Sequence, residues 1–237
     1  ISDCLVGSEM CIRDRSGTVS MTGQHNTGAT YALSLSGSTS ITAGTGVTLE
    51  SLNNNTGTIA LLSSGGINGG SGTVLMRAAN YAFGGADRTI TTTGVLTIQP
   101  DADENSFASS FDNQYLNPVS VTGLTLGKSS NASAITLSRA ISLSGPVSIY
   151  GGSIDVNANI TANSGNILLD ADTGSTLNQS STGILLDDVI TIETVTSGNL
   201  TLIGRSGDTG SGFDGIDASS ANTCLLYTSD AADDDHC

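Results

Sequence analysis

Oxygen-bearing side chains at short intervals are the first candidates for chemistry in this chain of 237 residues. Asp101, Asp103, Asn105 and Asp112 occupy positions 1, 3, 5 and 12 of a calcium-loop spacing, in which closely set oxygens ring a hard cation. The fit is incomplete. Ser106 stands where the loop's sharp turn needs Gly, Asp112 replaces the usual bidentate Glu, and no amphipathic helix flanks the segment. A solvated loop is the preferred reading, and these four residues are kept as the calcium candidates. Ser206 to Asp217 carries one out-of-phase hint of the Gly-Asp nonapeptide that binds calcium in β-rolls. A second group comprises Asp155, Asp170, Asp172, Asp187 and Asp188. Joined by Arg139 or Arg205, it would resemble the acid, base or cation-ligand set of a polysaccharide-cleaving enzyme. Acids that cap strand ends and keep the protein soluble are the simpler reading. His25, in GQHNTG, is the single histidine between residues 16 and 223. One His without Cys builds neither a zinc site nor a triad. Tyr31, Tyr81, Tyr115 and Tyr150, with Phe83, Phe107, Phe111 and Phe213, suit corner packing better than a sugar-stacking platform. No catalytic residue is assigned, and the chain is expected not to be an enzyme.

The elements that must position these groups are short strands. From Ala140 to Gly174, apolar residues alternate with small or polar ones in Ile141/Leu143, Val147/Ile149 and Ile154/Val156, followed by Ile167/Leu168, and the runs are cut by Gly, Asn or Ser-Gly. Period-two alternation gives each strand one face to bury, and none is long enough to be a core by itself. Stacking the strands coil upon coil solves this, because each coil becomes the apolar floor of the next. Apolar positions recur after 19 residues (Ile135 to Ile154, Leu137 to Val156), 20 (Val147 to Ile167), 17 (Ile167 to Ile184) and 16 (Ile184 to Leu200). An interval near twenty with two or three strands predicts an all-β parallel solenoid. Its length would be about ten turns, or roughly 50 Å at about 4.8 Å per strand spacing. A sandwich would show hairpin turns between longer strands instead.

The two ends read differently. EMCIRDR (Glu9 to Arg15) fits GAG ATG TGT ATA AGA GAC AG, and CLLYTS (Cys224 to Ser229) fits TGT CTC TTA TAC ACA TCT, the reverse complement of most of the first. One DNA element in inverted orientation resembles the transposon end used in sequencing-library adapters. Residues 1–15 and 224–237 are therefore read as non-native tails and set aside. All four cysteines fall in them, which leaves the native part cysteine-free, a composition that suits export. The native part holds 5 basic and 15 acidic residues, a net charge of −10. That balance argues against nucleic acid, which demands clustered Lys and Arg. No apolar run reaches the roughly 20 residues of a membrane span, so membrane insertion is not expected.

The organisation follows from these boundaries. Residues 16–100 form irregular solenoid turns, 101–118 a polar loop insert, 119–205 regular turns, and 206–223 a Gly/Ser-rich turn segment. The insert concentrates acids and aromatics, which makes it the best place for specific contacts. The stretch GLTLGKSSNASAITLSRAISLSGPVSIYGGSIDVNANITANSGNILLDAD (Gly123 to Asp172), with the later SGNLTLIG, resembles the repeat region of filamentous-haemagglutinin-type exoproteins and related bacterial surface adhesins. The likeness covers 119–204 well and 16–100 loosely, and it is to a style of repeat without functional positions. It implies a right-handed β-helix in a secreted or surface-attached stalk, exposed outside the cell. The implied partners are a host surface, a neighbouring cell or a glycan, together with the adjoining repeats on which the coil would stack. A glycan-active β-helix enzyme is the alternative. Both ends are expected to be cut mid-array, which would expose raw strand edges and favour association.

Overall fold

The structure, a computed structural model, describes residues 11–24, 30–37, 39–52, 57–62, 66–84, 87–102, 104–171, 181–187, 189–207, 211–219 and 223–227. The described residues form strands and turns without α-helix. The chain divides into two compact units, one of Ile1–Ser109 with Tyr115–Thr125 and the other of Ser110–Gln114 with Leu126–Cys237.

The first unit carries three sheets. Thr18–Gln24, Gly46–Leu52, Val74–Arg77, Val95–Gln99 and Gly123–Leu126 follow one another in the first. Cys11–Asp14, Ser40–Ala43, Ile67–Asn68, Arg88–Thr91 and Leu116–Val119 form the second, and Leu33–Leu35, Thr58–Leu61 and Asn80–Phe83 the third. Each strand pairs in parallel with the equivalent strand one coil on, so Val19, Val47, Val74 and Leu96 stand in one column and Met21, Leu49, Met76 and Ile98 in the next. Alternation explains why: Val47, Leu49, Val74, Met76, Leu96 and Ile98 are buried, while Thr48, Leu75 and Thr97 between them reach the surface in part. Each fully buried aliphatic side chain contributes about 1.5–3 kcal/mol of transfer free energy. Pro118 sits in the last strand of the second sheet, an edge position where its missing N–H breaks no ladder within the unit.

The second unit repeats the pattern. Its sheets are Phe111–Asp112, Ile135–Leu137, Ile154–Val156, Ile184–Leu186 and Ile216–Asp217; then Ile141–Leu143, Ile160–Ser164, Thr191–Ser197 and Cys224–Tyr227; then Val147–Tyr150, Ile167–Ala171 and Leu200–Gly204. All described pairings are parallel, with Ile135, Ile154, Ile184 and Ile216 in one column and Val147, Ile167 and Leu200 in another. Ser-Gly corners stack as the strands do. Gly165 and Gly198 both have left-handed φ (+117° and +139°), and a Cβ on Gly198 would lie 2.0 Å from the Gly165 carbonyl oxygen, so only glycine fits.

The intervals correct part of the sequence reading. Near-twenty spacing holds for Ile135 to Ile154 and Val147 to Ile167. Ile167, however, pairs with Leu200 and not Ile184, while Ile184 pairs with Ile154 and Ile216. Spacings of 17 and 16 joined residues of different sheets, because these coils run 30 to 33 residues between partners. The insert also differs from a free loop. Phe107, Phe111 and Leu116 are buried, Ala108 N–H donates to the Ala79 carbonyl, and the Ser109 hydroxyl donates to Asn80 Oδ1. Its apolar residues fall in phase with the buried columns, Phe111 opposite Ile135 and Leu116 opposite Arg88. Two of the segments set aside from the sequence nevertheless form paired strands, Cys11–Asp14 with Ser40–Ala43 and Cys224–Tyr227 with Thr191–Ser197, and Cys224 is disulfide-bonded.

Candidate functional site

One set of mutually interacting acids on described residues, Asp112, Asp155 and Asp187, lies along one sheet of the second unit. Phe111–Asp112 pairs with Ile135–Leu137, which pairs with Ile154–Val156, and the register sets Asp112 opposite Thr136 and Thr136 opposite Asp155. The apolar partners Phe111, Ile135 and Ile154 turn inward, so Asp112, Thr136 and Asp155 share the outer face, two strand spacings or about 9.6 Å from first to last. Asp187 follows Ile184–Leu186 and its N–H donates to the Val156 carbonyl at 3.0 Å, which brings it to the same edge.

The three carboxyl groups have unequal surroundings. Asp112 is well supplied with donors: Gln114 N–H at 2.9 Å on Oδ1 and the Ser138 hydroxyl at 3.1 Å on Oδ2. Asp155 accepts from Asn157 Nδ2 at 3.3 Å on Oδ2, while its Oδ1 is buried with no hydrogen-bond partner. Its pKa is raised above the ordinary carboxylate value, first by desolvation and then by the negative charges of Asp187 and Asp112, against the opposing hydrogen bond from Asn157. Chemically, this is a carboxyl group biased to hold a proton between two others. Beside it, Asn113 grips the next coil with both amide atoms: Arg139 N–H donates to Oδ1 and Nδ2 donates to the Arg139 carbonyl, each at 2.9 Å. Arg139 Nη1 extends toward the Gln114 carbonyl at 3.5 Å.

The other expected residues are dispersed. Asp170 belongs to a different sheet, between Tyr150 and Ile203 in register. Asp172 and Asp188 lie outside the described residues, as do His25 and Asp103. Of the calcium candidates, Asp101 is buried in the first unit and Asn105 is exposed, while Asp112 is a strand residue of the second unit. Among the described residues, no three His, Cys, Asp or Glu side chains are grouped to hold a metal ion.

In the first unit the aromatic residues cluster. Tyr81 stacks on Phe83 with centroids 6.5 Å apart and meets Phe107 edge-on at 5.9 Å. The Tyr81 hydroxyl donates to the Gln99 carbonyl at 2.9 Å, and desolvation pushes its pKa well up.

Arg88 was overlooked by sequence reasoning. It is 3 % exposed, turned inward with Ile90, and its Nε donates to the Leu61 carbonyl at 2.9 Å. Desolvation lowers its pKa. The alternation of Arg88-Thr89-Ile90 carried that signal, since a residue two before a buried Ile shares its face. No helix of the described residues is long and apolar enough to cross a membrane, which leaves spanning by strands unaddressed. No protein-family model, curated protein or solved structure matches the chain.

Proposed function

We propose that this chain is a section of a repetitive bacterial surface or secreted adhesin, a right-handed β-helical spacer that holds an attachment site away from the cell. The observation that carries the reading is the uninterrupted run of aliphatic columns through parallel strands in each unit, such as Ile135, Ile154 and Ile184. Such stacking is quasi-one-dimensional, with each coil resting on its neighbours, so length is added by adding coils. The outward positions Ser142, Ser148, Thr136 and Thr161 are small and polar, which suits a wall facing water. On this reading, residues 1–15 and 224–237 are translated adapter DNA, and sequencing across the junctions in the source DNA tests that directly.

The spacer reading is tested by duplicating the coil from Ile135 to Ser153 and measuring small-angle X-ray scattering. The cross-section should stay constant while the longest dimension grows by about 4.8 Å, one strand spacing. A change in cross-section would overturn it. A glycan-active enzyme is the second reading, favoured by the meeting of Asp112, Asp155 and Asp187. Release of reducing or unsaturated ends from a panel of acidic and neutral polysaccharides, abolished by Asp155→Asn, would establish that reading in place of the first.

A further inference from the structure

Asn68 begins the only Asn-Gly pair in the chain. Such a pair is the peptide sequence most prone to spontaneous deamidation, because a glycine amide meets little steric hindrance when it attacks the preceding side chain. Its place in the fold is on the wall of the first unit. Ile67–Asn68 is a strand between Ser40–Ala43 and Arg88–Thr91, with Asn68 opposite Thr42 on one side and Thr91 on the other. Ile67 is buried and Asn68 is exposed, so the Asn68 amide faces water.

Packing dictates both glycines that follow. A Cβ on Gly69 would lie 2.6 Å from Cγ2 of Val74, a wholly buried β-branched side chain, and 3.2 Å from the Thr92 hydroxyl. Gly70 has a left-handed φ of +58°, and a Cβ there would collide with the Gly44 carbonyl oxygen. The corner thus cannot exchange Gly69 for a bulkier, less reactive neighbour. It restrains the reacting atoms instead. Gly69 N–H donates to the Thr91 carbonyl at 2.8 Å, and Asn68 Oδ1 accepts the Gly70 N–H at 2.9 Å. The first bond holds the attacking nitrogen and its proton, and the second fixes the side-chain carbonyl under attack.

We propose that Asn68 is a deamidation site gated by the coil: it reacts only when the corner of residues 68–70 opens and releases the Gly69 N–H from Thr91. In the opened corner the Gly69 nitrogen gives its proton to hydroxide and bonds to Asn68 Cγ. The Cγ–Nδ2 bond then breaks, and the leaving nitrogen takes a proton from water and departs as ammonia, which regenerates the hydroxide. Water opens the cyclic imide at either carbonyl. Cleavage of the new bond to Cγ restores the main chain and leaves aspartate, whereas cleavage at the main-chain carbonyl leaves isoaspartate, with the chain rerouted through Cβ. Overall, water is consumed and ammonia released. Aspartate retains an oxygen for the Gly70 N–H. Isoaspartate adds a backbone methylene group, which displaces Gly69 N–H from the Thr91 carbonyl and keeps the corner from closing. This chemistry is independent of any adhesive role.

The test incubates the full chain at mildly alkaline pH, natively folded and in urea, beside a synthetic peptide of residues 64–72. Fragment mass spectra locate the amide-to-acid change, and enzymatic methylation identifies isoaspartate. Deuterium exchange measures the protection of the Gly69 N–H, which must be released and lose its proton in the same way before it exchanges. The peptide and the unfolded chain should react at Asn68 at similar rates. The folded chain should react at least about tenfold more slowly, by the same factor as the exchange protection. Ile67→Ala, which thins the column beside Asn68, should raise both rates together. A folded chain that deamidates as fast as the peptide, an Asn68 that stays intact in the unfolded chain, or an Ile67→Ala variant in which exchange quickens and deamidation does not would each overturn the proposal. Circular dichroism confirms that the variant folds, and the comparison of folded wild type with the peptide stands without it. Asn68→Asp supplies the normally linked product and should melt with wild type, whereas the chain carrying isoaspartate should melt lower. An isoaspartyl chain that melts with wild type would overturn the blocked corner.

Discussion

At the scale of single residues, Asp155 and Asn131 show opposite ways of placing a polar group on a coil. Asp155 is held near Asp187 and Asp112 with one oxygen unpartnered, and its pKa is raised. A carboxyl group whose folded pKa lies above its unfolded value takes up a proton on folding between the two, so ionisation costs stability above that window and the cost disappears as pH falls through it. Asp155→Asn keeps the acceptor for Asn157 and removes the charge. The variant should therefore be more stable than wild type at pH 7, with the advantage fading toward the unfolded carboxylate value of about 3.9. Urea midpoints at both pH values check this, and an advantage unchanged by pH would refute it. Asn131 is wholly buried and fully engaged. Its Nδ2 donates to the Tyr150 carbonyl at 2.8 Å and its Oδ1 accepts the Ser133 N–H at 3.2 Å. Asn131→Ala removes both hydrogen bonds from their part-buried partners and should cost about 1–3 kcal/mol in chemical denaturation.

At the scale of elements, the strands are held by columns more than by their own propensity, because runs of two to seven residues cannot bury a face alone. Ile154 touches the coil on each side through Ile135 and Ile184. Ile154→Ala should cost about 2–5 kcal/mol, whereas Ser142→Ala on the exposed wall of the neighbouring sheet should stay within about 0.5 kcal/mol. Equal losses at the two positions would mean that the columns do not carry the stability. This dependence also explains which strands were legible in the sequence. Ile135 to Ile154 could be matched because only corners separate the strands between them. Ile184 was matched to the wrong partners because aliphatic residues in adjacent sheets look alike to a spacing count once a coil lengthens. Asp101 to Pro118 read as a polar projection by composition, yet Phe107, Phe111 and Leu116 supply the apolar phase that packs it. The meeting of Asp112 with Asp155 was hidden for a different reason: 43 positions separate them, and only the register through Thr136 brings them to one face.

At the scale of the whole molecule, charge and exposed apolar side chains act in opposition. The chain carries a net charge of −15, so two copies repel at a distance. Electrostatic repulsion reaches about 30 Å at 0.01 M ionic strength and about 8 Å at 0.15 M. Apolar burial is not weakened by simple screening, and strongly hydrated salts reinforce it. Association through exposed side chains such as Leu52, Val189 and Val195 should therefore strengthen as NaCl rises from about 0.01 to 0.15 M, the range over which that screening length shortens most, and then level off. Attraction between opposite charges is screened by the same salt, so association dominated by ion pairs would weaken over the same range. Sedimentation across a salt series thus separates the two by sign, and a monotonic loss of association with salt would replace apolar contact with ion pairing as the force between copies.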